Sequence, residues 1–171
     1  MINDSPEAAP TTGIIVTNAY GSGTLTNFLY KNLLRETGSA TFESITTGAI
    51  VTDAGYMYGL SWGDYDDDGN LDLAVARTLN ENQTNAFYRN DGNSNSWLTL
   101  DCRGTLSNAA ALGTKIRVKA TVNSQPVWQY EVIQGQSGYC GQNLQVHFGL
   151  GDAIVIDSLV VDWPSGNREV W

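Results

Sequence analysis

Five aspartates fall within the nine positions from Asp64 to Asp72, in the stretch W-G-D-Y-D-D-D-G-N-L-D-L-A-V-A. Carboxylates held this close repel one another, so keeping them together calls for a compensating charge. Hard cations such as Ca2+ take about six to eight oxygen ligands, which a tight loop with acids at alternate positions can supply. In the spacing D-x-D-x-D-G-x-x-D, Asp64, Asp66 and Asp68 stand at positions one, three and five. Asn70 at position seven offers its backbone carbonyl, and Asp72 stands at position nine. Gly69 between them permits the sharp turn. These five residues are the expected metal ligands, and Ca2+ is the expected ion. Asp67 falls between ligand positions and is expected to face water. The competing reading is a solvated acidic turn between strands. The loop is not an EF-hand: position twelve is Val75 rather than Glu, and its flanks read as strands.

Other residues that could do chemistry are sparse. His147 is the only histidine and has no obvious partner in sequence, so a structural role is expected of it. No C-x-x-C or P-loop pattern occurs. Paired carboxylates for glycoside hydrolysis could hide among the aspartates, but the loop spacing already uses four of them as ligands. Trp62, Trp97, Trp128, Trp163 and Trp171 could line a sugar-binding face, although filling a β core or a strand edge is the plainer expectation. Cys102 and Cys140 leave two alternatives open, one internal disulfide or two free thiols. Asn3 and Asn82 each begin a glycosylation sequon, relevant only in a eukaryotic secretory host.

These residues sit in a chain of 171 with a hydrophobic fraction of 42%, enough for a real core in one domain or two small ones. Eighteen glycines and many Asn, Asp and Ser residues punctuate short apolar runs, a pattern of many strands and few helices. The net charge of -9 repels nucleic acid, whose binding depends on Lys and Arg. No apolar run is long enough to span a bilayer, so membrane insertion is not expected. The first residues lack the basic start and apolar stretch of a signal peptide, which leaves an intracellular protein or a piece of a longer secreted one.

Residues 1–12 read as a flexible lead-in. From Gly13 an internal repeat emerges: N-F-L-Y-K-N at Asn27–Asn32 recurs as N-A-F-Y-R-N at Asn85–Asn90. Upstream, G-I-I-V-T-N from Gly13 lines up with D-L-A-V-A-R from Asp72, allowing one inserted residue. A period near 58 with strand-like units is the signal of propeller blades or stacked β arrays. Only the second copy carries the aspartate loop, because Ser5–Gly13 stands in its place in the first. After Asn95 clean alternation begins, with Ile116, Val118, Ala120 and Val122 on one face of a strand and Lys115, Arg117, Lys119 and Thr121 on the other. Leu144, Val146 and Phe148 alternate likewise, and W-L-T-L-D-C, W-Q-Y-E-V-I and D-S-L-V-V-D-W also read as strands. One helical turn is expected, near Tyr30–Glu36.

The aspartate stretch followed by N-A-F-Y-R-N-D-G resembles the FG-GAP, or VCBS-type, repeats of integrin-like β-propellers. The second half is similar to the ASPIC/UnbV domain, through N-S-W-L-T-L near Trp97, A-L-G-T-K-I-R-V from Ala111, G-Q-S-G-Y at Gly135–Tyr139, H-F-G-L-G at His147–Gly151 and W-P-S-G at Trp163–Gly166. The expected fold is all-β: a partial propeller-like repeat with one calcium loop over 13–92, then an antiparallel β-sandwich or barrel over 93–171. The resemblance implies a non-enzymatic adhesion or scaffold module, extracellular or at a cell surface within a longer secreted protein. Its implied partner is a protein or glycan ligand, with self-association through open β edges a further expectation. A carbohydrate-active enzyme, or its carbohydrate-binding accessory domain, is the alternative.

Overall fold

A computed structural model of the chain describes residues 13–78, 83–137 and 140–171. At 46% strand and 5% helix the protein is all-β, and its sheets are antiparallel, none closed into a barrel among the described residues. Two compact units divide the chain, the main body of the first ending at Gly92 and that of the second starting at Asn93. No helix among the described residues is long and apolar enough to cross a membrane.

In the first unit the order is β1 (Gly13–Val16), β2 (Phe28–Asn32), α1 (Leu34–Thr37), β3 (Phe42–Ile45), α2 (Ala49–Thr52), β4 (Met57–Gly63), β5 (Asp72–Arg77) and β6 (Ala86–Tyr88). They form two three-stranded sheets, β1-β2-β3 and β4-β5-β6. The internal repeat has a counterpart in the pairing register. Ile14 pairs with Tyr30 as Leu73 pairs with Tyr88, and Val16 pairs with Phe28 as Val75 pairs with Ala86. Repeated asparagines close repeated turns: the Asn32 Oδ1 accepts from the Leu34 N–H at 2.9 Å, and the Asn90 Oδ1 from the Gly92 N–H at 3.1 Å.

The facing of the two sheets differs from what their register alone implies. Leu73 and Val75 are buried in the core, whereas their counterparts Ile14 and Val16 are exposed. The first sheet packs its opposite face inward, through Ile15 and Leu29, against a cluster of Ile50, Val51, Met57, Leu73 and Val75. Two of these come from α2, a helical turn where the sequence A-I-V-T suggested none. The β-branched pair is spent on burial rather than on strand pairing, and Gly48 (φ 99°) leads the chain into the turn. The buried Asn27 donates its Nδ2 to the Ile50 carbonyl at 2.9 Å, anchoring that turn to the start of β2. The helical turn expected near Tyr30–Glu36 is α1, but Tyr30 itself lies in β2.

Beyond Asn93 run β7 (Ser96–Leu100), β8 (Lys115–Val122), β9 (Gln125–Val132), β10 (Gln136–Ser137), β11 (Cys140–Gly141), β12 (Val146–Gly151), β13 (Ile156–Asp162) and β14 (Arg168–Val170). One sheet has the order β14-β13-β8-β9, and β12 pairs with β7 in a ribbon of its own. Asn123 (φ 48°) and Ser124 (φ 61°) join β8 to β9 by a two-residue turn of left-handed residues, which matches the strands' own twist. The alternation read from Lys115 onward holds in space: Ile116, Val118, Ala120 and Val122 are buried together with Val146, Phe148, Leu150 and Val161. Leu98 and Leu100 of β7 join this core, so sheet and ribbon contribute to a single apolar layer. Leu144 departs from the expected face: β12 starts only at Val146, and Leu144 is exposed.

Candidate metal site

Between β4 and β5 the chain bends through the aspartate loop, with Gly69 (φ 87°) supplying the left-handed step that a Cβ would resist. Asp64 leads in directly after β4, and its carboxylate folds back over the turn. Its Oδ1 accepts from the Asp68 N–H at 3.0 Å and its Oδ2 from the Gly69 N–H at 2.8 Å. Asp72 opens β5 and is buried, with both oxygens engaged: Oδ2 accepts from the Tyr65 N–H at 3.2 Å and Oδ1 from the Asn90 N–H at 2.7 Å. A buried carboxylate is costly unless hydrogen-bonded, and here backbone donors orient it.

The loop gathers Asp64, Asp66 and Asp72, one oxygen of each lying within 4.8 Å of the others. Oxygens on opposite sides of Ca2+ are separated by about twice the 2.3–2.6 Å bond length, so this span suits that ion. Like charges about 4–5 Å apart repel by roughly 3–4 kcal/mol near a protein surface. Among the described residues, Arg89 is the cation that reaches the cluster, its Nε lying 3.4 Å from Asp66 and 3.6 Å from Asp91. One guanidinium shared with Asp91 leaves most of that repulsion in place. The donor set is all oxygen, which suits a hard divalent cation rather than a soft one.

Asp68 and Asn70 are engaged with each other. The Asp68 Oδ1 accepts from the Asn70 N–H at 2.8 Å and from its Nδ2 at 2.9 Å, and these bonds hold the Asp68 carboxyl below the usual aspartate range. Asp68 lies outside the three-acid group. The Asn70 side chain packs so closely on Gly92 that a Cβ there would come within 2.2 Å of it. Asp67 is exposed, with a left-handed φ of 57°.

Two contributors escaped sequence reasoning. Asn90 holds Asp72 from the far end of β6, and its Nδ2 reaches the Leu71 carbonyl at 3.4 Å. Its place at the end of the repeated N-A-F-Y-R-N was the available signal. Arg89, beside it in the same repeat, aligns with Lys31. Tyr65 flanks the loop with its ring edge-on to Phe87, the centroids 4.8 Å apart.

The remaining candidates fall outside this site. His147 lies on β12 opposite Thr99, its ring stacked with that of Trp97. Cys102 and Cys140 are free thiols, and burial pushes the Cys102 thiol up. Trp62 and Trp163 pack on the two cores, whereas Trp97, Trp128 and Trp171 are exposed. Asn3 and Asn82, which begin the two sequons, and nearly all of the Ser5–Gly13 segment lie outside the described residues.

Residues 104–171 match the family model described as ASPIC and UnbV. The chain is 33% identical over 142 residues to cartilage acidic protein 1 of Mus musculus, covering 82% of this chain and 21% of that protein. It is 32% identical to the Homo sapiens protein of that name, again over 142 residues, and 30% identical to the Xenopus tropicalis one over 146. The chain thus spans about a fifth of the length of the curated relatives it matches.

Proposed function

We propose that this chain, matching ASPIC and UnbV over residues 104–171, is a calcium-binding, non-enzymatic module of an extracellular scaffold or adhesion protein. The observation that carries the metal reading is the convergence of Asp64, Asp66 and Asp72, with two of the three carboxylates already aimed by backbone N–H groups. On this reading Asp64, Asp66 and Asp72 hold Ca2+, and Asp68 and the Asn70 carbonyl complete the shell. The first unit is then an FG-GAP or VCBS-type repeat, supported by the copied register of its two sheets. An extracellular location follows the relatives named for cartilage, and a protein or glycan partner accords with the non-enzymatic reading.

Bound Ca2+ supplies positive charge among carboxylates that otherwise repel, and the folded loop orients its own oxygens to receive it. Extracellular calcium modules bind at about 10⁻⁴ to 10⁻³ M, too weakly for signalling. A ligand at ~100 times its dissociation constant stabilises the folded state by about 2.7 kcal/mol. That is a large share of a domain's usual 5–15 kcal/mol or so, and makes the ion a structural clamp. A thermal melt in chelator, in millimolar Ca2+ and in millimolar Mg2+ tests this. A calcium-selective rise of roughly 5–10 °C is expected. Identical melting in all three conditions would overturn the metal reading.

A further inference from the structure

We propose that the outward face of the β14-β13-β8-β9 sheet binds an anionic polysaccharide, sugar rings stacking on Trp128 and Tyr130 and acidic groups meeting Lys119 and Lys115. The inference rests on the reading of the chain as a non-enzymatic binding module, and names the chemistry of its partner.

Strand register places these residues side by side. Directly paired residues of antiparallel strands share a face, and Lys119 pairs with Trp128 and Arg117 with Tyr130. Both aromatic rings are more than half exposed, at 53% and 54%, although each is large enough to fill a core. They stand two residues apart on an edge strand, hence about 7 Å apart along it and on the same face. Exposed aromatic rings on a sheet face offer the surface that the C–H face of a pyranose stacks on.

Charge selects the kind of sugar. The chain as a whole carries -9, but its acids are concentrated before Asn93, and from there onward five basic residues stand against six acidic ones. Four of those five cations, Lys115, Arg117, Lys119 and Arg168, project from this one face, as their pairing with Asp162, Val160, Ser158 and again Asp162 requires. Asp162 takes both guanidinium groups, accepting from Arg117 at 3.1 Å and from Arg168. Lys115 and Lys119 make no ion pair among the described residues. The Lys119 Nζ lies 6.0 Å from the Trp128 ring centroid, which puts a cation at the margin of the stacking platform. A carboxylated or sulfated sugar presents what such a pair recognises: a ring for the indole and an anion for the ammonium. A neutral glycan would use only half of the surface.

The test is titration of the full chain, in calcium, with dextran sulfate, with polygalacturonate and with neutral dextran, read by tryptophan fluorescence and by surface plasmon resonance. Binding to either polyanion, and at least about tenfold weaker binding to neutral dextran, is expected. Trp128→Ala and Lys119→Glu should each weaken polyanion binding by about tenfold. Both positions lie on the solvent side of the sheet, and far-UV circular dichroism checks that the variants fold. Equal affinity for neutral dextran overturns the charge requirement. Unchanged binding in Trp128→Ala reduces the face to simple ion exchange and overturns the proposal. Concentration-dependent dimerisation abolished by Trp128→Ala, without polyanion binding, would instead seat a second copy of the chain there. The calcium melt separates the two readings: a lost calcium shift with intact polyanion binding sinks the metal clamp alone, and the reverse sinks this face alone.

Discussion

Among the described residues the first unit buries five apolar side chains in its core cluster and gives the nine positions from Asp64 to Asp72 to an acid-rich loop, whereas the second buries eleven and turns the basic side chains of β8 outward. Hydrocarbon removed from water stabilises at about 25 cal/mol per Å2, so the larger core supplies more of its own stability. The smaller one keeps a like-charged cluster whose repulsion opposes folding. A β unit can be held by packing or by a shared ion; the second unit has the larger core, and the calcium proposed above would place the first toward the other end of that range.

The sharpest way to break the contrast is to hollow the second core. Phe148 is 1% exposed, and Phe148→Ala should cost about 3–5 kcal/mol, a loss that added calcium does not restore. Urea unfolding of the variant with and without Ca2+ measures both parts. Next comes the loop. Asp72→Ala or Asp66→Ala should remove the calcium increment of about 2.7 kcal/mol, while Asp67→Ala keeps most of it. Equal loss at all three positions would dismiss the ligand assignment. Hydrogen exchange then sharpens the comparison: calcium should slow exchange in β4 and β5 and leave β8 and β9 unchanged.

The smallest expected effect concerns acid. The Arg168 guanidinium beside Asp162, aided by Arg117, holds that carboxyl below the usual aspartate range. A folded-state value depressed in this way stabilises at pH above the unfolded value, and the benefit is lost as pH falls through the folded one. Stability should therefore drop on the acid side of the ordinary carboxylate range, less steeply in Asp162→Asn. Melting in chelator across that range reads the difference without the metal.

Much of this was legible in the residues. Period-two alternation located β8, and the acid-rich loop stood out by its spacing, because such a pattern depends on positions close in sequence. What escaped depends on distance. The β12 to β7 pairing joins segments far apart in the chain, and β14 is a short exposed strand with no apolar rhythm. In α2 tertiary burial overrode the strand preference of Ile50 and Val51. Asp66 and Asp68 look equivalent in the sequence, yet Asn70 draws the Asp68 carboxylate to itself. Register preserved between Leu73 and Ile14 likewise said nothing about which face each would turn inward.

That last feature carries a symmetry. In the first unit, residues buried by the second sheet, Leu73 and Val75, correspond to residues left bare on the first, Ile14 and Val16. Conversely, Ile15 and Leu29 of the first sheet pack inward, while their counterparts Ala74 and Phe87 look out. The sheets are related as successive steps of a staircase, not as two hands pressed together. A two-fold pairing would satisfy both inner faces and finish. A stepwise one is heterologous and leaves a riser at one end and a tread at the other, unlike in kind and complementary in role. The arrangement therefore has a direction, and nothing within its two steps brings it to a stop.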